Sequence, residues 1–281
     1  LRSLGITRAS RGVQDFDPTV QQAINRIQTF DDTAEVVARM RGLGVQSVNL
    51  DVLYGLPHQS IDSIRATIRQ ILSIRPNRVA LFGYAHVPWM KKHQTMIDER
   101  ALPDAAARFA QAQAAALMLR EAGYVAIGID HFALPEDGLS MALQAGKMRR
   151  NFQGYTVDEA DALIGLGASA IGRLPQGHVQ NMPATGEYQR RVKAGDLATV
   201  RGHAMSDDDR AREAVIEKLM CEFGFGKGWL CLRHGDAALP LFDIANRMVA
   251  EGEYLHKSGD RYEIIEAMRP FARQVAARFD A

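Results

Sequence analysis

Asn49-Leu50-Asp51-Val52-Leu53-Tyr54-Gly55-Leu56-Pro57 sets a carboxylate inside an apolar stretch and then breaks the chain sharply. Side chains alternate along a strand, so Leu50, Val52 and Tyr54 point one way and Asn49, Asp51 and Leu53 the other. Gly55 and Pro57 end the strand, and Ser60 with Asp62 opens a helix that runs to about Arg75. The stretch reads as one strand, turn and helix of a parallel α/β protein. An aspartate buried in such a strand is costly unless it meets a cation, several donors or a polar ligand. An ion pair with Arg26, or bonds to backbone amides, would satisfy it without any function.

The same alternation continues on both sides. Ile6 to Gln14 can make a strand, and Asp17-Pro18 starts a helix through Ile24 with proline at its first position. A helix from about Asp32 to Leu43, capped by an aspartate, ends at Gly44. Downstream, Arg78 to Tyr84 is an apolar strand closed by Ala85-His86-Val87-Pro88. An alanine-rich helix, Asp104 to Glu121, ends at Gly123, and Tyr124 to Ile129 is a further strand leading into Asp130-His131-Phe132. This is the spacing of right-handed βαβ units, and a barrel or partial barrel fits it. In such folds the C-terminal strand ends carry the chemistry. The candidates are Gln14-Asp15, Asp51 to Gly55, Tyr84-Ala85-His86 and Asp130-His131. A lone His86 or His131 is more often structural than catalytic; the agreement of four strand ends carries the argument.

Beyond Pro135 the alternation stops. Arg149 to Thr156 reads as a polar, aromatic loop, and Asp158 to Leu163 as a short helix. Gly165-Leu166-Gly167-Ala168-Ser169-Ala170-Ile171-Gly172 fails the dinucleotide fingerprint, and reads as close backbone packing or as closeness to a ligand. Ser206 followed by three aspartates caps a helix to about Glu222, and a glycine-rich loop spans Gly224 to Gly228. Leu239 to Ala250 is a helix, Gly252 to Ile265 a hairpin around Ser258-Gly259-Asp260, and a last helix starts near Met268. The arrangement is winged-helix-like but has no basic recognition helix, which points to a lid or docking domain.

Composition narrows the class. With 281 residues, 47% hydrophobic and 24% charged, the chain can bury a proper core across a large and a small domain. A formal net charge of +1 gives no case for nucleic acid or membrane partners. No apolar run approaches the roughly 20 residues of a membrane span, and no signal peptide is visible, so a cytoplasmic location is expected. Cys221 and Cys231 are too few and wrongly spaced for a disulfide framework, a four-ligand zinc site or an iron–sulfur cluster, so no metal ligand is assigned. Leu1-Arg2-Ser3-Leu4-Gly5 looks like a helix tail with a capping glycine, which makes a fragment the expectation.

Several motifs occur in a telling order: Gly12-Val13-Gln14-Asp15-Phe16, Ile24-Asn25-Arg26, the Asn49 to Pro57 stretch, Tyr84 to Pro88, Gly128-Ile129-Asp130-His131-Phe132-Ala133 and Asn151-Phe152-Gln153-Gly154-Tyr155-Thr156. Together they closely resemble the oxygen-independent coproporphyrinogen III oxidases, radical S-adenosylmethionine (SAM) enzymes of haem biosynthesis. The resemblance implies a partial parallel (β/α) barrel of radical SAM type over 1–135, its first strands missing. A connecting segment, 136–200, would complete the active-site cover, and a mainly helical, winged-helix-like domain would follow over 201–281.

It also implies two SAM molecules and a [4Fe–4S] cluster in the complete enzyme, with a 5′-deoxyadenosyl radical that takes hydrogen from a propionate side chain of coproporphyrinogen III. Loss of carbon dioxide leaves a vinyl group, and two rounds give protoporphyrinogen IX. By matching motif, Gln14, Arg26, Asp51, Leu53, Ala85 and Ile171 look like SAM-contacting positions; no catalytic residue is assigned. The family's C-x-x-x-C-x-x-C cluster segment is absent, so the chain by itself is expected to be inactive. A reductant and a monomeric state complete the expectations. The nearest rival is a radical SAM homologue that binds and transfers haem; Asn151 to Thr156 argues for the oxidase.

Overall fold

The structure, a computed structural model, describes residues 5–151 and 154–280. The helix-tail reading of Leu1 to Leu4 and the Phe152-Gln153 part of the aromatic motif lie outside the described residues. The chain forms two compact units, Leu1–Gln144 and Ala145–Ala281.

The first unit runs β1 (Arg8–Gln14), α1 (Pro18–Ala23), α2 (Phe30–Gly42), β2 (Ser47–Tyr54), α3 (Ile61–Ile74), β3 (Arg78–Gly83), α4 (Ala105–Glu121), β4 (Val125–Ile127), β5 (His131–Ala133) and α5 (Gly138–Gln144). β1, β2 and β3 are parallel neighbours, with Gly12 opposite Asp51 and Asp51 opposite Ala80. The sheet order β1-β2-β3-β5-β4 departs from simple alternation. After β4 the chain turns at Gly128 and returns as β5, which inserts antiparallel between β3 and β4. Asp130 and His131 therefore open a returning strand instead of ending a parallel one.

Local chemistry sets the helix starts. Asp17 caps α1 by accepting from Thr19 N and Val20 N, with Pro18 at the first position, where its missing N–H costs nothing. α3 begins with a reciprocal Ser60–Ser63 capping box. α2 differs from expectation: Thr29 is the cap, its hydroxyl accepting from Asp32 N at 3.1 Å, because Thr29 holds the extended backbone a cap requires. Asp31 and Asp32 fall in the first turn, where their charge favours the helix N-terminus.

Val48, Leu50 and Val52 of β2, with Val79 and Leu81 of β3, pack in one cluster with Val37 of α2, Ile64, Ile68 and Ile71 of α3, and Ala115 and Leu119 of α4. Fully burying one such aliphatic side chain contributes about 1.5–3 kcal/mol, so the helix-covered face dominates the unit's stability. The opposite face carries Asn49, Asp51 and Leu53, all half-buried.

The second unit runs β6 (Arg149–Asn151), β7 (Gly154–Thr156), β8 (Ile171–Leu174), β9 (Gly177–Asn181), α6 (Thr185–Ala194), β10 (Thr199–Ala204), α7 (Asp207–Glu222), β11 (Gly224–Gly226), α8 (Lys227–His234), α9 (Leu239–Glu251), β12 (Leu255–Ser258), β13 (Arg261–Ile264) and α10 (Ala272–Ala277). The expected Arg149 to Thr156 loop is a hairpin, with Arg149 opposite Thr156 and Arg150 opposite Tyr155. Residues 158–163 form no helix. The Asp158 carboxylate accepts from Ala160 N at 2.9 Å, a local bond that competes with helix formation, and Leu163 bridges to Arg173.

Gly165 and Gly172 do pack backbone to backbone. A Cβ on Gly165 would stand 2.9 Å from Ile171 C, and one on Gly172 2.9 Å from Leu163 O. The expected Gly224 to Gly228 loop is β11 running straight into α8, and β11 pairs with β13. The β12–β13 hairpin and the Ser206–Asp209 capping box of α7 form as read from the sequence. Near the end, a 3₁₀ turn, Glu266–Phe271, holds Pro270, and α10 starts only at Ala272, past the residue that lacks a donor.

Candidate functional site

The face of the first unit's sheet opposite the packed helices gathers the polar residues singled out from the sequence. Gly12, Asp51, Ala80 and His131 stand in successive register across β1, β2, β3 and β5. Gly12 leaves room above the sheet for two side chains from elsewhere. A Cβ there would lie 2.5 Å from Gln14 Nε2 and 3.1 Å from Arg26 Nη2. Arg26 reaches this point from beyond α1 and donates to Gly12 O at 2.9 Å. Gln14 has a left-handed backbone, φ 71°, at an irregularity in the β1–β2 register. That conformation is uncommon for a side chain other than glycine, and here it turns Gln14 back over Gly12.

Asp51 is not the deeply buried carboxylate expected. It is half-buried, and it accepts from Asn49 Nδ2 at 2.6 Å and from Ser10 Oγ at 3.3 Å. Arg26 makes its bond to Gly12 instead of an ion pair with Asp51. The carboxylate thus lies beside a guanidinium and an amide without being consumed by either. Asn49 Oδ1 on the same face is buried with no hydrogen-bond partner among the described residues. A buried polar atom left unpaired is costly, and a ligand donor would satisfy it.

A second polar cluster is built on Asp15, named from the sequence as part of a strand end, with partners in Gln59, Thr67 and Gln111 that the sequence reading missed. Asp15 is 0% exposed and accepts from Thr67 Oγ1 at 2.7 Å, from Asp17 N at 2.7 Å and from Gln59 Nε2. Burial pushes its carboxyl above the ordinary carboxylate range, against the downward pull of those three donors. Gln59 also donates to Leu53 O at 2.9 Å and accepts from Leu56 N at 3.2 Å. From α4, Gln111 accepts from Gly55 N at 2.9 Å and donates to Gln59 O at 2.7 Å. These bonds tie down Leu53 O, Gly55 N, Leu56 N and Gln59 O, and fix where β2 ends.

The end of β3 is held in a similar way. Arg108 donates to Tyr84 O at 2.6 Å, and its side chain occupies space that only glycine at 55 leaves open, since a Cβ on Gly55 would stand 2.8 Å from Arg108 Nε. Gln94 clamps the next residues, donating to Ala85 O at 3.0 Å and accepting from Val87 N at 2.6 Å. Tyr84 N donates to Tyr54 O at 2.8 Å, so Ala85 follows directly from the point where β2 and β3 end side by side. His86 sits between Tyr84 OH at 3.2 Å and Glu99 at 3.0 Å. His131 Nδ1 meets Asp130 at 2.6 Å, and its ring packs edge-on against Phe82.

The structure therefore brings Gln14, Arg26 and Asp51 together around Gly12, with Leu53 one step along the same face of β2 and Ala85 just past the adjoining strand end. Ile171 belongs to the second unit, where it begins β8 opposite Gln180. Of the cysteines, Cys221 is buried, which pushes its thiol up to about 12, and Cys231 is partly exposed on α8. Two thiols do not fit a three-thiolate cluster, and among the described residues no group of histidine, cysteine and carboxylate side chains could hold a metal ion. Among the described residues no helix is long and apolar enough to cross a membrane.

No family model matches the chain. It is 49% identical, over 284 residues, to the oxygen-independent coproporphyrinogen III oxidase of Bradyrhizobium diazoefficiens, covering 100% of this chain and 63% of that protein. It is 38% identical to the protein of the same name from Thermostichus vulcanus, with 100% of this chain and 87% of the relative covered. Its fold matches the solved coproporphyrinogen III oxidase of Escherichia coli, described as a radical SAM enzyme, with a TM-score of 0.92 at 31% identity over 100% of this chain and 65% of that one. The whole-chain identity, the near-complete span of the Thermostichus relative and the fold match lead to one conclusion: the chain belongs to the oxygen-independent coproporphyrinogen III oxidases.

Proposed function

We propose that the protein containing this sequence carries out the oxygen-independent oxidative decarboxylation of coproporphyrinogen III to protoporphyrinogen IX, and that Gln14, Arg26, Asp51, Leu53, Ala85 and Ile171 contact SAM. The observation that carries the reading is the convergence of Gln14, Arg26 and Asp51 around Gly12, in a chain of this family. These groups fit SAM: Arg26 pairs with a carboxylate, Asp51 accepts from ribose hydroxyls or an amine, and Gln14 does either. Asn49 Oδ1 adds an unmet acceptor on the same face. Leu53 supplies an apolar wall, and the clamped Ala85 presents backbone at a fixed place. When bound, SAM and a reduced iron–sulfur cluster supply one-electron chemistry, and the protein's part is to bind, orient and exclude water.

The two cysteines of this sequence do not hold that cluster, so the 281-residue chain alone is inactive in this reading. A reductant, a cytoplasmic setting and a monomeric protein belong to the same proposal. The test is anaerobic incubation of the full-length protein, cluster rebuilt, with SAM, a reductant and coproporphyrinogen III, following tetrapyrrole mass. Loss of two carboxyl groups with release of 5′-deoxyadenosine is the expected result. Absence of decarboxylation together with stoichiometric haem retention would overturn it in favour of a haem-transfer protein.

A further inference from the structure

The second unit holds a cavity of about 580 Å³, within the size range of small-molecule sites. Its walls mix apolar groups such as Leu163, Ile216 and Met220 with four guanidiniums and four carboxylates. With the charges balanced, net attraction does not explain its chemistry; the unmet buried donor of Arg150 does. Arg150 lies with its guanidinium 5.2 Å over the Tyr155 ring, and its Nη1 is buried with no hydrogen-bond partner among the described residues. Arg149 stands 3.8 Å from Glu217 and Arg173 3.9 Å from Glu213, both beyond hydrogen-bonding distance. Each guanidinium carries five N–H donors in a fixed fork matched to a carboxylate. Glu217 and Glu213 keep Arg149 and Arg173 oriented, Arg173 Nη2 also reaches Ala160 O at 3.5 Å, and the buried Nη1 of Arg150 is left with a donor to offer. Side chains two apart on a strand share a face, so Arg173 of β8 opens onto the cavity from the face that also carries Ile171.

We propose that this cavity receives the carboxylate-bearing tetrapyrrole, with Arg150 as the main anchor for a propionate and Arg149 and Arg173 flanking it. This rests on the function proposed above: an apolar macrocycle edged with carboxylates matches apolar walls edged with guanidiniums, one of which keeps a buried donor unmet. Arg150 is thereby a substrate-positioning residue.

The experiment uses the full-length protein and coproporphyrin III, the fluorescent oxidised form of the substrate, so that binding is read without turnover. Arg150→Met is expected to weaken coproporphyrin III binding by about 10- to 100-fold, the range for losing a charge-assisted bond. Arg173→Met, further from full burial, should weaken it less, Arg150→Lys should restore part of the loss, and SAM affinity should not move. In the wild type, esterifying the porphyrin carboxyls should cost as much as Arg150→Met does. If the wild type binds and decarboxylates while both methionine variants bind coproporphyrin III unchanged, the cavity assignment falls and the function stands. If the wild type neither binds the porphyrin nor decarboxylates its reduced form, the functional reading falls, and this assignment with it.

Discussion

Asp15 and Asp51 occupy neighbouring strand regions and are treated in opposite ways. Asp15, just past β1, is fully buried and held by a hydroxyl, a backbone amide and a side-chain amide drawn from three segments of the chain. Asp51, in the middle of β2, is half-buried and rests on Ser10 and Asn49, close neighbours in the same sheet. A carboxylate that is fully buried and whose acceptor capacity is taken up by three donors acts as scaffold, because any change leaves buried groups unpaired. One that is open and lightly held keeps acceptor capacity for something that arrives later. The same division separates the helix-packed face of the sheet from the face that carries Asp51.

The sharpest way to break that contrast is in the core. Leu50→Ala should cost about 2–5 kcal/mol by urea unfolding, because it removes a fully buried side chain, whereas Leu53→Ala on the other face should cost far less. Equal losses would mean that the two faces are packed alike.

Asp15→Ala should follow at about 2–4 kcal/mol, since three donors lose their acceptor. Its pH dependence has a definite sign. Burial raises the native pKa above the unfolded value of about 4, so the native state binds more protons between the two, and stability falls as pH rises through that window. Wild type should therefore lose ground to Asp15→Asn as pH rises until the native carboxyl is ionised, and the difference should then stay level. The opposite slope would show that the three donors outweigh desolvation.

At Asp51 the readout changes from stability to binding. Asp51→Ala should leave the unfolding free energy within about 1 kcal/mol while lowering SAM affinity of the full-length protein about 10- to 100-fold. A large stability loss without an affinity change would make Asp51 a structural residue like Asp15. The mildest change is Gly12→Ala. Its methyl would push aside the flexible ends of Gln14 and Arg26, so a stability cost of about 1 kcal/mol and a comparable loss of SAM affinity are expected.

The sequence is legible where a single residue type controls a single outcome. Alternation along β2 separates its two faces, Asp17-Pro18 and Ser60 place helix starts, and Ser258-Gly259-Asp260 places a hairpin. Legibility fails where two chemistries compete locally. Thr29 and Asp32 can both cap α2, and backbone conformation decides for Thr29. Asp158 can begin a helix or bind a nearby amide, and the amide wins. It fails again where the information is spread along the chain. Asp15, Gln59, Thr67 and Gln111 span nearly 100 residues without a motif, and only folding shows that they share one network. The left-handed turn of Gln14 carries no composition signal either, although it is what aims the side chain.

Arg108 and Gln111 give α4 a consequence of a different kind. They lie three residues apart on one face of the helix, one gripping the end of β3 and the other the turn after β2. The helix is therefore a common ruler for two loops, and its phase counts as much as its composition. Inserting one residue between Asp104 and Arg108 would rotate both side chains by about 100° relative to the capped start, since a helix takes about 3.6 residues per turn. Both grips would be lost in one step. The end of β3 and the turn after β2 therefore answer to one helix, and a change in the phase of α4 reaches both together.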